Sequence, residues 1–245
     1  MDTKRFEGKI ILITGGNSGI GFAAAKRIAG EGGQVIITGR DGEKLKKAVQ
    51  ELGGKAQGIV ADVSKISDLE KLYAEIQKKF GRLDGLFANA GISIMGPIDQ
   101  VTEAAVDSLM DINIKGTFFT LQKALPLFSK GAAVVLTASV TDTKGPAPMA
   151  VYAATKAAVR SMARTFSSHL LPRAVRVNVV SPGPIETPIW DSVNDAGKAT
   201  RAELVPSKRF GTAEEVASAA AFLLSDESSY ILGAELYIDG GVSQL

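Results

Sequence analysis

The sequence predicts an α/β fold: a single doubly wound parallel sheet of about seven strands with helices on both faces. Three observations carry that reading. Short aliphatic runs alternate with helix-period stretches along all 245 residues, a pattern of strand–helix–strand units rather than hairpins. The runs are apolar at consecutive positions, as strands covered on both faces require. No linker-like or low-complexity stretch divides the chain, so one domain is expected over 1–245, within reach of a single large α/β unit.

The first run, KIILIT at 9–14, leads into GGNSGIGFAAAKRIAGEGG, a glycine turn followed by a helical pattern that stops at Gly32-Gly33. Further strands are predicted at 34–38 (QVIIT), 56–61 (AQGIVA), 83–88 (LDGLFA), 132–138 (AAVVLTA), 175–180 (VRVNVV) and 234–239 (AELYID). Helical patterns fill the intervals at roughly 43–52, 66–80, 102–128, 149–171 and 212–224. The segment 182–208 reads differently, opening with SPGPIETP and continuing through polar, turn-forming residues. A loop of that length inside a domain is usually functional, and a mobile substrate lid is expected at about 187–208.

Composition narrows the function. Hydrophobic residues make up 45% and charged residues 22%, an ordinary globular profile. A net charge of +2 gives no field that would call for a nucleic-acid or membrane partner. With no cysteine there is no disulfide or thiolate metal site, and the single histidine, His169, argues against a zinc cluster or a Ser-His-Asp triad. No metal is expected. The opening MDTKRFEGK lacks the apolar core of a signal peptide and no later run is long enough to span a bilayer, so a cytoplasmic setting is expected.

Two stretches suggest chemistry. TGGNSGIG, Thr14 to Gly21, falls where the first strand gives way to the first helix. Glycines at 15, 19 and 21 permit a tight turn and let backbone N–H groups approach a pyrophosphate at a helix N-terminus. No Gly-Lys-Ser/Thr follows, which argues against a P-loop. The turn could be purely structural, but its position favours dinucleotide binding. The second stretch, AVYAATKAAV at 150–159, sets Tyr152 and Lys156 one helical turn apart on one face. A phenol near a fixed cation is either a packing accident or a proton donor whose pKa the cation lowers.

These stretches, with NAG at 89–91, Asn113, Ser139 and SPGPIETP at 181–188, occur in the order and spacing of the short-chain dehydrogenases/reductases. The chain resembles that family over nearly its whole length, through RFGTAEEVA (209–217) and GAELYIDGG (233–241). It looks most like bacterial β-ketoacyl–acyl-carrier-protein reductases and glucose dehydrogenases. The resemblance implies a Rossmann-type sheet and NAD(P)-dependent interconversion of ketone and alcohol. Tyr152 would then be the general acid/base, Ser139 would orient the carbonyl, and Lys156 would also bind the nicotinamide ribose. Asn113 would hold a water relaying protons from Lys156.

For the cofactor, the resemblance implies a site built from Gly15, Asn17, Ser18, Gly19 and Ile20, with Asp62 and Val63 at the adenine. The backbone of Asn89, Ala90 and Gly91 would run along the ribose and phosphates, and Pro182, Gly183, Ile185 and Thr187 would meet the carboxamide. In ITGR, Gly39 occupies the place where NAD-preferring members carry aspartate, and Arg40 follows. A guanidinium matches a 2′-phosphate, so NADP(H) is favoured, with NAD(H) as the alternative. Two features weaken that preference: Ser18 stands where many NADP-preferring relatives have a second basic residue, and Asp41 adjoins Arg40.

Ile94, Met95, Val140, Met149 and Trp190 are the expected substrate-pocket residues, a mainly apolar set without a carboxylate clamp, suited to small or medium ketones and alcohols. An acyl carrier protein is the alternative partner, through Lys198, Arg201, Lys208 and Arg209. Sugar, polyol or steroid oxidation is a further alternative, and a non-catalytic dinucleotide sensor, which would commonly lack the tyrosine or lysine, is the least favoured. The helices at 102–128 and 149–171 carry apolar residues beyond one stripe, including Phe118, Phe119, Val159, Met162 and Phe166, and relatives pair these helices. A homotetramer is expected.

Overall fold

Ile11 and Ile13 of β1 (Ile10–Thr14) enter one apolar layer and Leu12 enters the other, which is why the run is apolar at every position. The computed structural model describes residues 4–54, 56–191 and 193–245. The other strands are β2 (Gln34–Gly39), β3 (Ala56–Val60), β4 (Leu83–Ala88), β5 (Phe128–Thr137), β6 (Arg176–Pro182) and β7 (Glu235–Ile238). All pair in parallel in one seven-stranded Rossmann-like sheet of order β3-β2-β1-β4-β5-β6-β7.

Helices cover both faces, as the right-handed crossovers of a parallel sheet require. On one side α1 (Gly19–Gly30), α2 (Gly42–Leu52) and α9 (Ala213–Leu224) pack on Ile13, Val35, Ile37, Phe87 and Val135. On the other side α3 (Ile66–Phe80), α5 (Thr117–Ala124) and α7 (Ala150–Leu170) pack on Leu12, Ile36, Leu86, Val134 and Val177. The remaining helices are α4 (Glu103–Leu109), α6 (Thr141–Lys144) and α8 (Asp195–Glu203). Among the described residues, no helix is long and apolar enough to cross a membrane.

Three boundaries differ from the sequence expectation, each for a local reason. The helix read at 102–128 is interrupted by a π-helical turn over Met110–Gly116, between α4 and α5. Strand β5 begins at Phe128 rather than 132, because Phe128 already pairs with Leu83 before the register shifts. The polar Ser129-Lys130-Gly131 that follows hides this start from an apolar-run reading. The expected lid at 187–208 is not simply irregular. It contains α8, whose N-terminus is capped by Asn194 Oδ1 accepting from the Gly197 N–H at 2.8 Å. Its sequence, DAGKATRAE, has no apolar stripe to announce a helix. Ser192, in the middle of that segment, lies outside the described residues.

Candidate active site

Registers Thr14↔Thr38, Thr14↔Ala88 and Ala88↔Leu136 bring the carboxyl ends of β2, β1, β4 and β5 level with one another. The strand order reverses direction between β1 and β4, the place where open α/β sheets hold ligands. A cleft of about 1010 Å³ opens there. Asn89, just past β4, ties its rim together. Its Nδ2 donates to the Thr14 carbonyl at 3.2 Å, while Thr14 Oγ1 accepts from the N–H groups of Asn89 and Ala90, both at 3.1 Å. Gly15 turns at φ +64°, and a Cβ on Gly21 would run into the Gly15 carbonyl.

The donor set suits a dinucleotide. Helix α1 begins on the cleft wall at Gly19 and Ile20, its N-cap Ser18 makes no side-chain capping bond, and its first turn holds no acid. Its leading N–H groups and positive dipole end are therefore available to an anion such as a pyrophosphate. Helix α2 contrasts with it: Asp41 Oδ1 accepts from the N–H groups of Glu43 and Lys44 at 3.1 and 3.0 Å. Asp41 is thus committed as a cap, with Lys44 at 3.9 Å, whereas Arg40 has no ion-pair partner among the described residues. Lys44 also lines the cleft, a second cation that no motif announced. A Cβ at Gly39 would come within 2.7 Å of Asn17 Oδ1, the tip of a side chain that would have to turn aside. Asp62 and Val63 line the same end, Asp62 Oδ1 accepting from Ser64 N and Oγ at 3.0 and 2.7 Å.

At the other end, Ser139 follows β5, while Tyr152 and Lys156 stand on the first turns of α7, all on the cleft wall. Lys156 is only 4% exposed; its Nζ donates to the Thr137 carbonyl at 2.9 Å and lies 5.6 Å from the centre of the Tyr152 ring. Pro182, Gly183, Ile185 and Thr187 line the wall opposite, Thr187 reaching across to Gly19. Asn113 lies behind the wall, not on it. Its Oδ1 accepts from the Ile92 N–H at 2.9 Å, and its Nδ2 donates to the Ile92 carbonyl at 2.9 Å and to Thr155 Oγ1 at 3.1 Å. Both amide donors are spent, which leaves one Oδ1 lone pair for a water.

The electrostatics correct the expectation for the phenol. Burial pushes Tyr152 up to about 12; a hydrogen bond with Ser139 pulls it back and the charge of Asp142 pushes it further up. Burial also pushes Lys156 down to about 8. The cation reaches past the ring to a strand carbonyl and does not lower the phenol in this arrangement.

Sequence reasoning missed the network beneath Tyr152. Helix α6 packs on α7, and both Asp142 carboxyl oxygens are buried with no donor in hydrogen-bond geometry among the described residues. Asp142 faces the Glu235 carboxyl of β7. Glu235 accepts from Ser181 Oγ at 2.7 Å and contacts Arg160 Nε of α7 at 2.6 Å, off the hydrogen-bond axis. Burial pushes Asp142 up to about 6, Glu235 adds to the rise, and Arg160 opposes it. These polar positions are scattered over the sequence at 142, 160, 181 and 235, and only the fold gathers them.

Met95, Val140, Met149 and Trp190 line the cleft as expected. Ile94 instead lines a smaller neighbouring hollow with Leu109, Pro148 and Val151, and Met95 borders both spaces. Arg201, Leu204 and Val205 add to the wall. Of the basic residues considered for a carrier protein, Lys208 lies 3.7 Å from Glu203 and Arg209 lies 2.6 Å from Glu215. No cluster of metal-ligating side chains occurs among the described residues.

Residues 15–243 match the family model described as Enoyl-(Acyl carrier protein) reductase. The chain is 41% identical to oxidoreductase asL5 of Sarocladium schorii, an alignment that covers 99% of this chain and 98% of that protein. It is 37% identical to a 3-oxoacyl-(acyl-carrier-protein) reductase of Thermotoga maritima, covering 97% of this chain and 99% of that one. The crystal structure of levodione reductase is similar at a TM-score of 0.90 and 36% identity, covering 97% of this chain and 98% of its own.

The folded chain keeps a proton on Asp142 up to about pH 6, against 3.8 for an ordinary carboxyl. The associated stability is full below about pH 3.8 and is lost as pH rises from there through about 6. Between about pH 4 and pH 7, Asp142→Asn should therefore lose less melting temperature than the parent. Parallel thermal melts check this, and equal losses would count against the buried-proton assignment.

Proposed function

The chain belongs to the short-chain dehydrogenase/reductase family, and we propose that within it the protein is an NADPH-dependent carbonyl reductase, reversible as an alcohol dehydrogenase. Members are oxidoreductases that use a nicotinamide cofactor. The observation that carries this reading is that Ser139, Tyr152 and Lys156 line the same cleft that receives the uncapped N-terminus of α1.

When bound, the reduced nicotinamide supplies a hydride to the carbonyl carbon. The chain's own residues do the rest. The Gly19 and Ile20 end of α1 would hold the pyrophosphate, Arg40 and Lys44 the 2′-phosphate, and Lys156 the nicotinamide ribose. Ser139 Oγ donates to the substrate oxygen as negative charge develops there. Tyr152 gives its phenolic proton to that oxygen, which completes the alcohol. A phenol near 12 is almost fully protonated at neutral pH, ready as an acid for reduction. Alcohol oxidation needs the phenolate, so it should speed up as pH rises.

Two further properties belong to this reading. We place the enzyme in the cytoplasm, consistent with the absence of cysteine. We assign it as a homotetramer, because Phe118 is 37% exposed and stacks with Phe119 and Phe166 at 5.3 and 5.7 Å, an aromatic face a second copy would cover. Size exclusion with light scattering should give four times the monomer mass, and a monomer would refute the assignment.

Tyr152→Phe should keep the fold and cofactor affinity but lose roughly 10²–10⁴-fold in kcat, the usual worth of one acid–base group. Near-native turnover would remove Tyr152 from the mechanism. Arg40→Ala should cut kcat/KM with NADPH by roughly 10- to 100-fold and leave NADH almost unaffected, since charge-assisted bonds contribute about 1.5–3 kcal/mol. A parent enzyme that prefers NADH would overturn the cofactor assignment.

A further inference from the structure

At the substrate end the cleft wall is apolar, formed by Met95, Met149, Trp190, Leu204 and Val205, with one half-buried exception. Arg201, in the last turn of α8, holds its guanidinium over the Trp190 ring at 5.5 Å. Trp190 is itself braced edge-on by Phe210, with ring centres 5.2 Å apart and planes at 61°. Arg201 Nη1 donates to the Gly197 carbonyl at 3.2 Å. Nothing else engages the group among the described residues: Lys208 and Arg209 of the same segment have Glu203 and Glu215, but Arg201 has no carboxylate partner. The other charged residues at this end of the cleft, Lys144 and Asp191, are exposed at its rim.

With Nη1 committed to the Gly197 carbonyl, Nε and Nη2 keep their N–H donors. That remaining edge is planar and matches a carboxylate in a two-bond fork. An apolar pocket with one pinned, unneutralised fork selects a molecule with an apolar body and one anionic end.

We propose that Arg201 is a specificity-determining residue that receives the carboxylate of the substrate, so that the preferred substrates are carbonyl compounds bearing a carboxylate on an apolar frame. This rests on the reductase reading of the same cleft and adds the substrate class to it. Composition suggested the opposite, a pocket without a carboxylate clamp, because nothing in the sequence distinguishes Arg201 from the solvated charges around it.

The test uses a matched pair of probes, benzoylformate and its methyl ester, with the full-length enzyme. Trp190 is the chain's only tryptophan and lies under Arg201, so its fluorescence reports binding without turnover. With saturating NADP⁺ present, benzoylformate should bind the parent more tightly than the ester. Arg201→Gln should weaken the acid about tenfold or more, in line with the loss of a charge-assisted bond, and leave the ester within about twofold. Arg201→Lys should restore part of the acid's affinity, since it returns the charge without the fork. NADPH consumption should show the same pattern as a rise in KM for the acid alone. Equal losses on both probes, or an unchanged affinity for the acid, would overturn the proposal even if the ester is still reduced. Arg201-dependent binding of the acid without turnover of either probe would uphold the anion site and sink the reductase reading instead.

Discussion

One buried amide fixes the geometry of the cleft. Asn113 takes the Ile92 N–H and gives to the Ile92 carbonyl and to Thr155 Oγ1, so the loop after β4, the π turn and α7 meet at a single side chain. Thr155 passes the connection on, donating to the Tyr152 carbonyl at 2.7 Å. The loop after β4 is in turn fastened to the glycine turn through Asn89 and Thr14. The wall at the glycine turn and the wall that carries Tyr152 therefore form one hydrogen-bonded unit. An unmet buried partner costs about 1–3 kcal/mol, so each link holds the others in place.

Burial, more than pairing, sets the charges around that unit. Tyr152 and Lys156 are both pushed toward their neutral forms, the phenol up to about 12 and the ammonium down to about 8. Tyr152 consequently keeps its proton at neutral pH. Asp142 adds to that reluctance from below.

Much of this was legible in the sequence because it depends on local pattern. Seven aliphatic runs gave the strands to within a residue or two at most ends, and the bounds of α3, 66–80, were read as the structure has them. The glycine turn, Ser139, Tyr152 and Lys156 share one cleft because each sits at a strand end or on the first turns of a helix that starts there. What could not be read depends on three-dimensional surroundings. Nothing local marks Lys44 or Arg201 as wall residues, nor brings Asp142 against Glu235. The direction of the Tyr152 shift was misjudged because helical spacing gives the distance between two side chains but not how deeply the fold buries them.

The π turn at Met110–Gly116 makes this stretch a counting device. A wide turn holds one residue more than the α-helical turn it replaces. Removing one residue there would let the ladder close as ordinary helix, and α5 beyond it would keep its phase, with Leu121 and Ala124 still facing the core. What would go is the aim of Asn113, which meets Ile92 from inside the wide turn. The surplus residue thus serves one side chain and costs the helix downstream nothing.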